Sequence, residues 1–295
     1  MVFIAKRPIA ACLLATVLVL LVAAPLQVCA EQKNGTCTVQ PIVLLEKVTG
    51  TWCPPCGTLS PTIDKIWEYF GSTKLAIIEY HNGATSGPYY DPFATTETNG
   101  KASYYGVTGV PTVIIDGDQA NMIVGVYDYT TYSDAINASL AIAREFTINV
   151  SGTISSGSVT VHLEQTDPSS ATNLKMRYAV LESEKYYSGG TDPDDIYNHI
   201  CRKIVTEDAV TLPVPSGGVD YTKTFTVDPG WDSAKLSFVA YLQEGGSTPT
   251  TKKVHQACFY GYGSANVPEI SPLFILPMGG AFVALVALAC RKRKE

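Results

Sequence analysis

Histidine is scarce, with four in 295 residues, which leaves a metal enzyme built on imidazole ligands little to draw on. Charge is scarce too. Asp, Glu, Lys and Arg make up 16% of the chain and sum to a formal -6. A general nucleic-acid binder needs a basic face that displaces counterions from phosphate, so this balance argues against nucleic-acid partners. Only one Cys-x-x-Cys occurs, at Cys53 and Cys56, and no paired histidines accompany it. A four-ligand zinc site is therefore not built. The apolar fraction is high, at 46%, which excludes wholesale disorder. The length suits one large or two ordinary domains.

Both ends of the chain read as membrane-directed. Lys6 and Arg7 precede an apolar run from Ile9 to Ala24, then Pro25 and the small residue of Val28-Cys29-Ala30. This is the anatomy of a secretory signal peptide over residues 1–30. At the other end, Ile270 to Cys290 carries no charge and is followed by Arg291-Lys292-Arg293-Lys294. A run of that length spans a hydrocarbon core of about 30 Å, and the basic cluster is expected to stay cytoplasmic. Residues 267–295 thus read as a C-terminal transmembrane anchor. Val267-Pro268-Glu269-Ile270, the span and the basic tail resemble the archaeal sorting signals that begin Pro-Glu-Phe, with Ile270 standing in place of Phe. The expected location is extracytoplasmic, tethered to the membrane or cell surface. Asn34, Asn137 and Asn149 each open a glycosylation sequon, as exported chains often do.

Outside the membrane, disulfides persist. Removal of the signal leaves Cys37, Cys53, Cys56, Cys201 and Cys258 exported. Cys53 and Cys56 pair by spacing, Cys201 and Cys258 are a structural disulfide candidate in the second half, and Cys37 is the odd one.

The strongest local signal is Pro41 to Cys56. Ile42-Val43-Leu44-Leu45 has the continuous apolar character of a buried strand, Thr49-Gly50-Thr51 breaks it, and Trp52-Cys53-Pro54-Pro55-Cys56 follows. Ile63, Ile66, Trp67 and Phe70 then repeat at helical spacing. The thiols are placed where a strand ends and a helix begins. Partial positive charge and free N–H groups there favour a thiolate, and two intervening residues let the second sulfur resolve a mixed disulfide. Pro54 and Pro55 suit a helix opening.

On these residues the chain resembles a thioredoxin-fold disulfide oxidoreductase. Pro61, eight positions after Cys53, matches the proline of the family's active-site helix. Gly106-Val107-Thr108-Gly109-Val110-Pro111-Thr112 resembles the segment bearing the family's cis-proline. The resemblance implies that Pro111 is cis and faces the cysteines, that Val110 offers backbone hydrogen bonds to an extended substrate, and that Trp52 and Pro111 shape the groove. Residues 74–80 read as the next strand, 91–105 as a helix-rich crossover and 129–145 as the closing helix. Glu46-Lys47-Val48-Thr49-Gly50-Thr51-Trp52-Cys53 and the stretch at 105–112 are similar to secreted thioredoxin-like proteins of an outer-membrane-protein-related group, which carry a β domain after the thioredoxin domain. The departure is Lys47, where thioredoxins carry a buried Asp that accepts a proton. Strand alternation puts Glu46 and Lys47 on opposite faces. Lys47 toward the sulfurs stabilises a thiolate by charge; Glu46 there serves as a base; at a strand end both face solvent.

From Phe146 the pattern alternates: Phe146, Ile148, Val150; Val159, Val161, Leu163; Leu174, Met176, Tyr178, Val180; Leu236, Phe238, Ala240. Turn clusters separate these sets, as in a β-sandwich. Asp192, Asp194 and Asp195 lack calcium-loop spacing and read as a solvated loop.

The expected organisation is a thioredoxin-like α/β domain over 31–145, an all-β sandwich-like domain over 146–266, and the anchor. The expected function is a thiol–disulfide oxidoreductase acting on exported protein thiols and disulfides. Cys53 is an accessible nucleophile, Cys56 the resolving thiol, and no cofactor or metal is needed beyond the dithiol; an unidentified redox partner completes the cycle. The rival readings are a surface binding or adhesive protein with a permanent Cys53–Cys56 bridge, and metal delivery through the thiols and His81.

Overall fold

The computed structural model describes residues 40–245 and 252–264. The expected signal peptide and anchor, with Cys12, Cys29, Cys37, Cys290 and Asn34, lie outside the described residues. No helix among the described residues is long and apolar enough to cross a membrane.

The first half is α/β. Strand β1 (Val43–Thr49) is buried along its whole length, as its apolar opening requires. Helix α1 (Pro54–Phe70) follows, with prolines in its first two positions and Gly71 closing it at φ 61°, a conformation that glycine adopts without strain. Strand β2 (Leu75–His81) runs parallel to β1. Helix α2 (Thr96–Tyr105) is opened by a capping box between Thr95 and Thr98. Strand β3 (Thr112–Ile115), antiparallel to β1, and strand β4 (Ile123–Val124), antiparallel to β3, complete this part of the sheet, and helix α3 (Tyr129–Leu140) closes it. Helices α1 and α3 cover the face presented by Val43, Leu45, Leu75, Ile77 and Val113, which meet Leu59, Ile63, Ile66, Phe70, Tyr132 and Ile136. Each such side chain withdrawn from water contributes about 1.5–3 kcal/mol. Helix α2 covers the opposite face at Val48 and Ile114.

The second half is β-rich: β5 (Phe146–Thr153), β6 (Ser158–Gln165), β7 (Leu174–Glu182), β8 (Lys185–Tyr186), β9 (Ile196–Tyr197), β10 (Ile200–Val210), β11 (Val219–Thr224), β12 (Leu236–Glu244) and β13 (Val254–Gly261). Its strands do not form an independent body. The order β13-β12-β7-β10-β2-β1-β3-β4 is one eight-stranded sheet. The join is a parallel bridge between Ile200 of β10 and Glu79 of β2, with the Glu79 amide donating to the His199 carbonyl at 2.9 Å. The expected boundary at 145/146 falls between α3 and β5, yet strands from both sides of it share this sheet.

The three-stranded sheet β11-β6-β5 faces β7, β12 and β13 across an apolar layer that includes Phe146, Val161, Met176, Val180 and Phe238. On the other face, Ala179, Leu181, Val239, Ala257 and Phe259 pack with Leu44, Ile78 and Tyr80. The long sheet therefore coils back on itself, the usual consequence of accumulated strand twist.

Candidate active site

Cys53 is the N-cap of α1. Its sulfur accepts from the Cys56 amide at 3.2 Å, in one of the positions that a helix start leaves unpaired. Cys53 and Cys56 are joined in a disulfide. The Val110–Pro111 peptide is cis, and the Val110 carbonyl oxygen lies 3.6 Å from Cys53 Sγ. Trp52 donates from Nε1 to the Asn82 carbonyl at 2.9 Å and meets Tyr89 edge-on at 4.8 Å between ring centroids. Tyr89 itself is 58% exposed, so these two rings form an aromatic wall beside the disulfide loop.

The disulfide is less open than the sequence suggests. Cys53 and Cys56 are each 2% exposed, and the expectation of an accessible Cys53 is corrected accordingly. Part of the cover comes from the second half. The loop 187–195, between β8 and β9, sets the Thr191 hydroxyl on the Cys53 carbonyl at 2.8 Å. The Thr191 carbonyl sits so close to Gly57 that a Cβ there would come within 2.0 Å of its oxygen.

Glu46 and Lys47 do face opposite ways, but both are buried, so a solvent-exposed strand end is ruled out. Lys47 points to the α1 side. Its Nζ meets Glu79 at 2.9 and 3.1 Å and the Ser60 hydroxyl at 3.4 Å. Glu46 lies on the far face, accepting from the hydroxyls of Tyr80 and Tyr105, with Lys101 Nζ at 3.6 Å. Strand alternation thus gives the helix side to Lys47, and Glu46 is not positioned as a base for the thiols.

Sequence reading missed four polar residues around α1. Ser60 donates to the Cys56 carbonyl at 3.3 Å. Asp64, one turn further on, has its carboxyl pushed up to about 6 by burial and by the charge of Glu79. Glu79 is the lone acid in the apolar run of β2, a signal available in the sequence. Asp192 is 8% exposed rather than a solvated loop residue. Burial raises its carboxyl to about 6, with Ser60 alongside lowering it and Asp194 raising it. Its burial against α1 depends on tertiary packing and leaves no trace in the local sequence.

His81 is engaged by Asp91, with Nδ1 2.9 Å from Oδ2. Burial works against ionisation of Asp91, but His81 and the amides of Thr51 and Phe93 outweigh it and hold the carboxyl below its ordinary range. Among the described residues no three His, Cys, Asp or Glu side chains gather as a metal site.

The Cys201–Cys258 pairing is corrected. Cys201 is a free, buried thiol, pushed up to about 12 by burial. Cys258 is disulfide-bonded. Strands β10 and β13 are separated by β7 and β12, roughly 14 Å at ordinary strand spacing, and a disulfide needs its Cα atoms within about 7 Å. The two residues also face opposite sides of the sheet, Cys201 beside Leu181 and Phe259, Cys258 beside Ala240 and Tyr260. Of the sequons, Asn137 is exposed on α3. Asn149 is half-buried within β5 with its amide oxygen covered, a poor setting for a bulky glycan.

No family model matches the chain. Over 91 residues it is 26% identical to thioredoxin 1 of Synechococcus elongatus, covering 30% of this chain and 72% of that protein. Over 92 residues it is 28% identical to thioredoxin of Synechocystis sp., with coverage of 30% and 72%. Among solved structures, HBP35 of Porphyromonas gingivalis matches at TM-score 0.63 and 14% identity, over 79% of each chain, a likeness of fold that reaches beyond the α/β half. The chain carries a thioredoxin-like α/β domain, with a disulfide at Cys53–Cys56, joined to a large β-sheet region.

Proposed function

We propose that the chain is an extracytoplasmic thiol–disulfide oxidoreductase that acts on exported proteins. The observation that carries this reading is the Cys53–Cys56 bridge at the start of α1, with Cys53 Sγ beside the carbonyl that precedes a cis-proline. The Cys56 amide stabilises a thiolate at Cys53. That thiolate attacks a client disulfide to form a mixed disulfide; Cys56 then attacks Cys53, re-forms the bridge and releases the client thiol. A dithiol donor among exported proteins reduces the bridge again and returns the pair to its starting state. Export is supported by the apolar segments at both ends and by a second disulfide at Cys258, which suits an oxidising compartment. The same segments support membrane tethering, and exposed Asn137 is the better placed sequon of the two described.

A second reading, a surface binding protein with a permanent bridge, is favoured by one observation, the burial of both sulfurs. The test is the reduction potential of the pair against glutathione buffers. A value within roughly -270 to -120 mV, lost in Cys53→Ser, supports the oxidoreductase. A bridge that stays oxidised far below that range supports the scaffold.

A further inference from the structure

We infer that Asp192, carried by the β-rich half, accepts the proton of Cys56 when that thiol resolves the mixed disulfide. The inference rests on the oxidoreductase reading above. A resolving thiol must lose its proton to attack, and position 47, where the resemblance expects an acid, holds a lysine. Glu79 does not replace that acid simply, because both of its oxygens are bound to Lys47 Nζ. Cys56, Ser60 and Asp64 follow one another at four-residue spacing and share a face of α1. Against this face lies the 187–195 loop. Thr191 is anchored to the Cys53 carbonyl and pressed against Gly57, and Asp192 lies beside Ser60.

The surroundings suit a proton acceptor. Asp194 shares the loop and faces Asp192, the Tyr197 hydroxyl accepts from the Asp192 amide at 3.3 Å, and Ser60 faces it from α1; Lys47 of β1 reaches that Ser60 hydroxyl and pairs with Glu79 of β2, while Asp64 of α1 accepts from Asn198, next to neutral His199 on the segment leading into β10. A carboxyl near 6 is matched to taking a proton near neutrality. In the step, the Cys56 thiol proton is taken up by Asp192, the Cys56 sulfur bonds to the Cys53 sulfur, the bond from Cys53 to the client sulfur breaks, and the client departs as a thiolate. The electron pair of the new bridge comes from Cys56, and the client sulfur is reduced.

The test uses the reduced full-length chain and Ellman's reagent, with the release from the Cys53→Ser, Cys56→Ser chain, which keeps every other thiol, subtracted. The first thionitrobenzoate released reports attack by Cys53, the second its displacement by Cys56. Asp192→Asn is expected to leave the first release unchanged, to slow the second by about tenfold or more at neutral pH, and to remove its pH dependence around 6. Asp192→Glu should restore both rate and profile, which loss of folding would not allow. A second release with the rate and pH profile of the unaltered chain in Asp192→Asn overturns the inference alone. Absence of the first release from the unaltered chain overturns the oxidoreductase reading and the inference with it.

Discussion

Lys47 and Glu79 are direct neighbours in the parallel β1–β2 ladder, and their side chains meet in a buried ion pair at 2.9 Å beneath the active-site helix. Removing one partner leaves the other charged and without its counter-ion in the interior. Lys47→Met is expected to cost about 3–5 kcal/mol in denaturant unfolding. The double change Lys47→Met with Glu79→Met should recover most of that loss, because no isolated charge remains.

Acid sensitivity should trace to His199. Burial, with the charge of Lys47, lowers this imidazole from 6.5 to about 3. Its folded pKa lies below the unfolded value, so its contribution to stability is present above about 6.5 and is lost as pH falls toward 3. At full protonation the loss is on the order of 4 kcal/mol. His199→Asn tolerates the positive φ of 52° at this position. Although the variant forfeits packing on Trp67, it should lose less stability between pH 7 and 4 than the unaltered chain, as urea unfolding at the two pH values would reveal.

The opposite sign applies at Asp192. Its carboxyl is raised from 3.8 to about 6, so its contribution is present below about 3.8 and lost as pH rises through 6. Asp192→Asn should therefore stabilise the fold at pH 7, by about 1 kcal/mol after allowance for partial solvent screening, and leave it unchanged at pH 3. Stability and the second thionitrobenzoate release would then move in opposite directions in a single variant.

Gly57→Ala tests the contact between the two halves directly. The added methyl meets the Thr191 carbonyl oxygen at 2.0 Å, so the 187–195 loop or the start of α1 must shift. A loss of about 1–3 kcal/mol in thermal unfolding is expected, together with faster alkylation of reduced Cys53 as its cover is displaced. Unchanged stability and labelling would mean that the loop is not held there in solution.

Cys201 should be silent toward thiol reagents in the native chain, being buried and raised to about 12. Mass spectrometry after iodoacetamide treatment should find it modified only in denaturant.

How far the sequence reveals this molecule varies by element. Alternation from Phe146 to Ala240 marks the inward faces of β5, β6, β7 and β12, because one face of each meets the opposing sheet. Strands β7 and β12 bury their other face as well, at Ala179, Leu181 and Val239, which alternation alone does not suggest. The strand-to-helix junction at Cys53 is legible because proline, apolar run and helical spacing agree there. The residues around the thiols divide differently. Trp52, Val110 and Pro111 are close to the disulfide loop through a resemblance that sequence carries. Ser60 and Asp64 were available from spacing on α1, and Glu79 from its isolation in an apolar strand. Asp192 and Thr191 were not, because only the tertiary path of a distant loop brings them to α1. The cysteine pairing failed for the same reason: strand order, not spacing, keeps Cys201 from Cys258.

The bridge between Ile200 and Glu79 also has a consequence for biogenesis. Synthesis proceeds from the N-terminus, so β1, β2 and the three helices emerge before β10 exists. Until then the outer edge of Leu75–His81 has no strand beside it, and an edge of this kind recruits strands from other chains. A nascent or truncated chain ending before residue 200 is thus open to self-association, and the edge of the first half is covered only when the last third of the polypeptide has arrived.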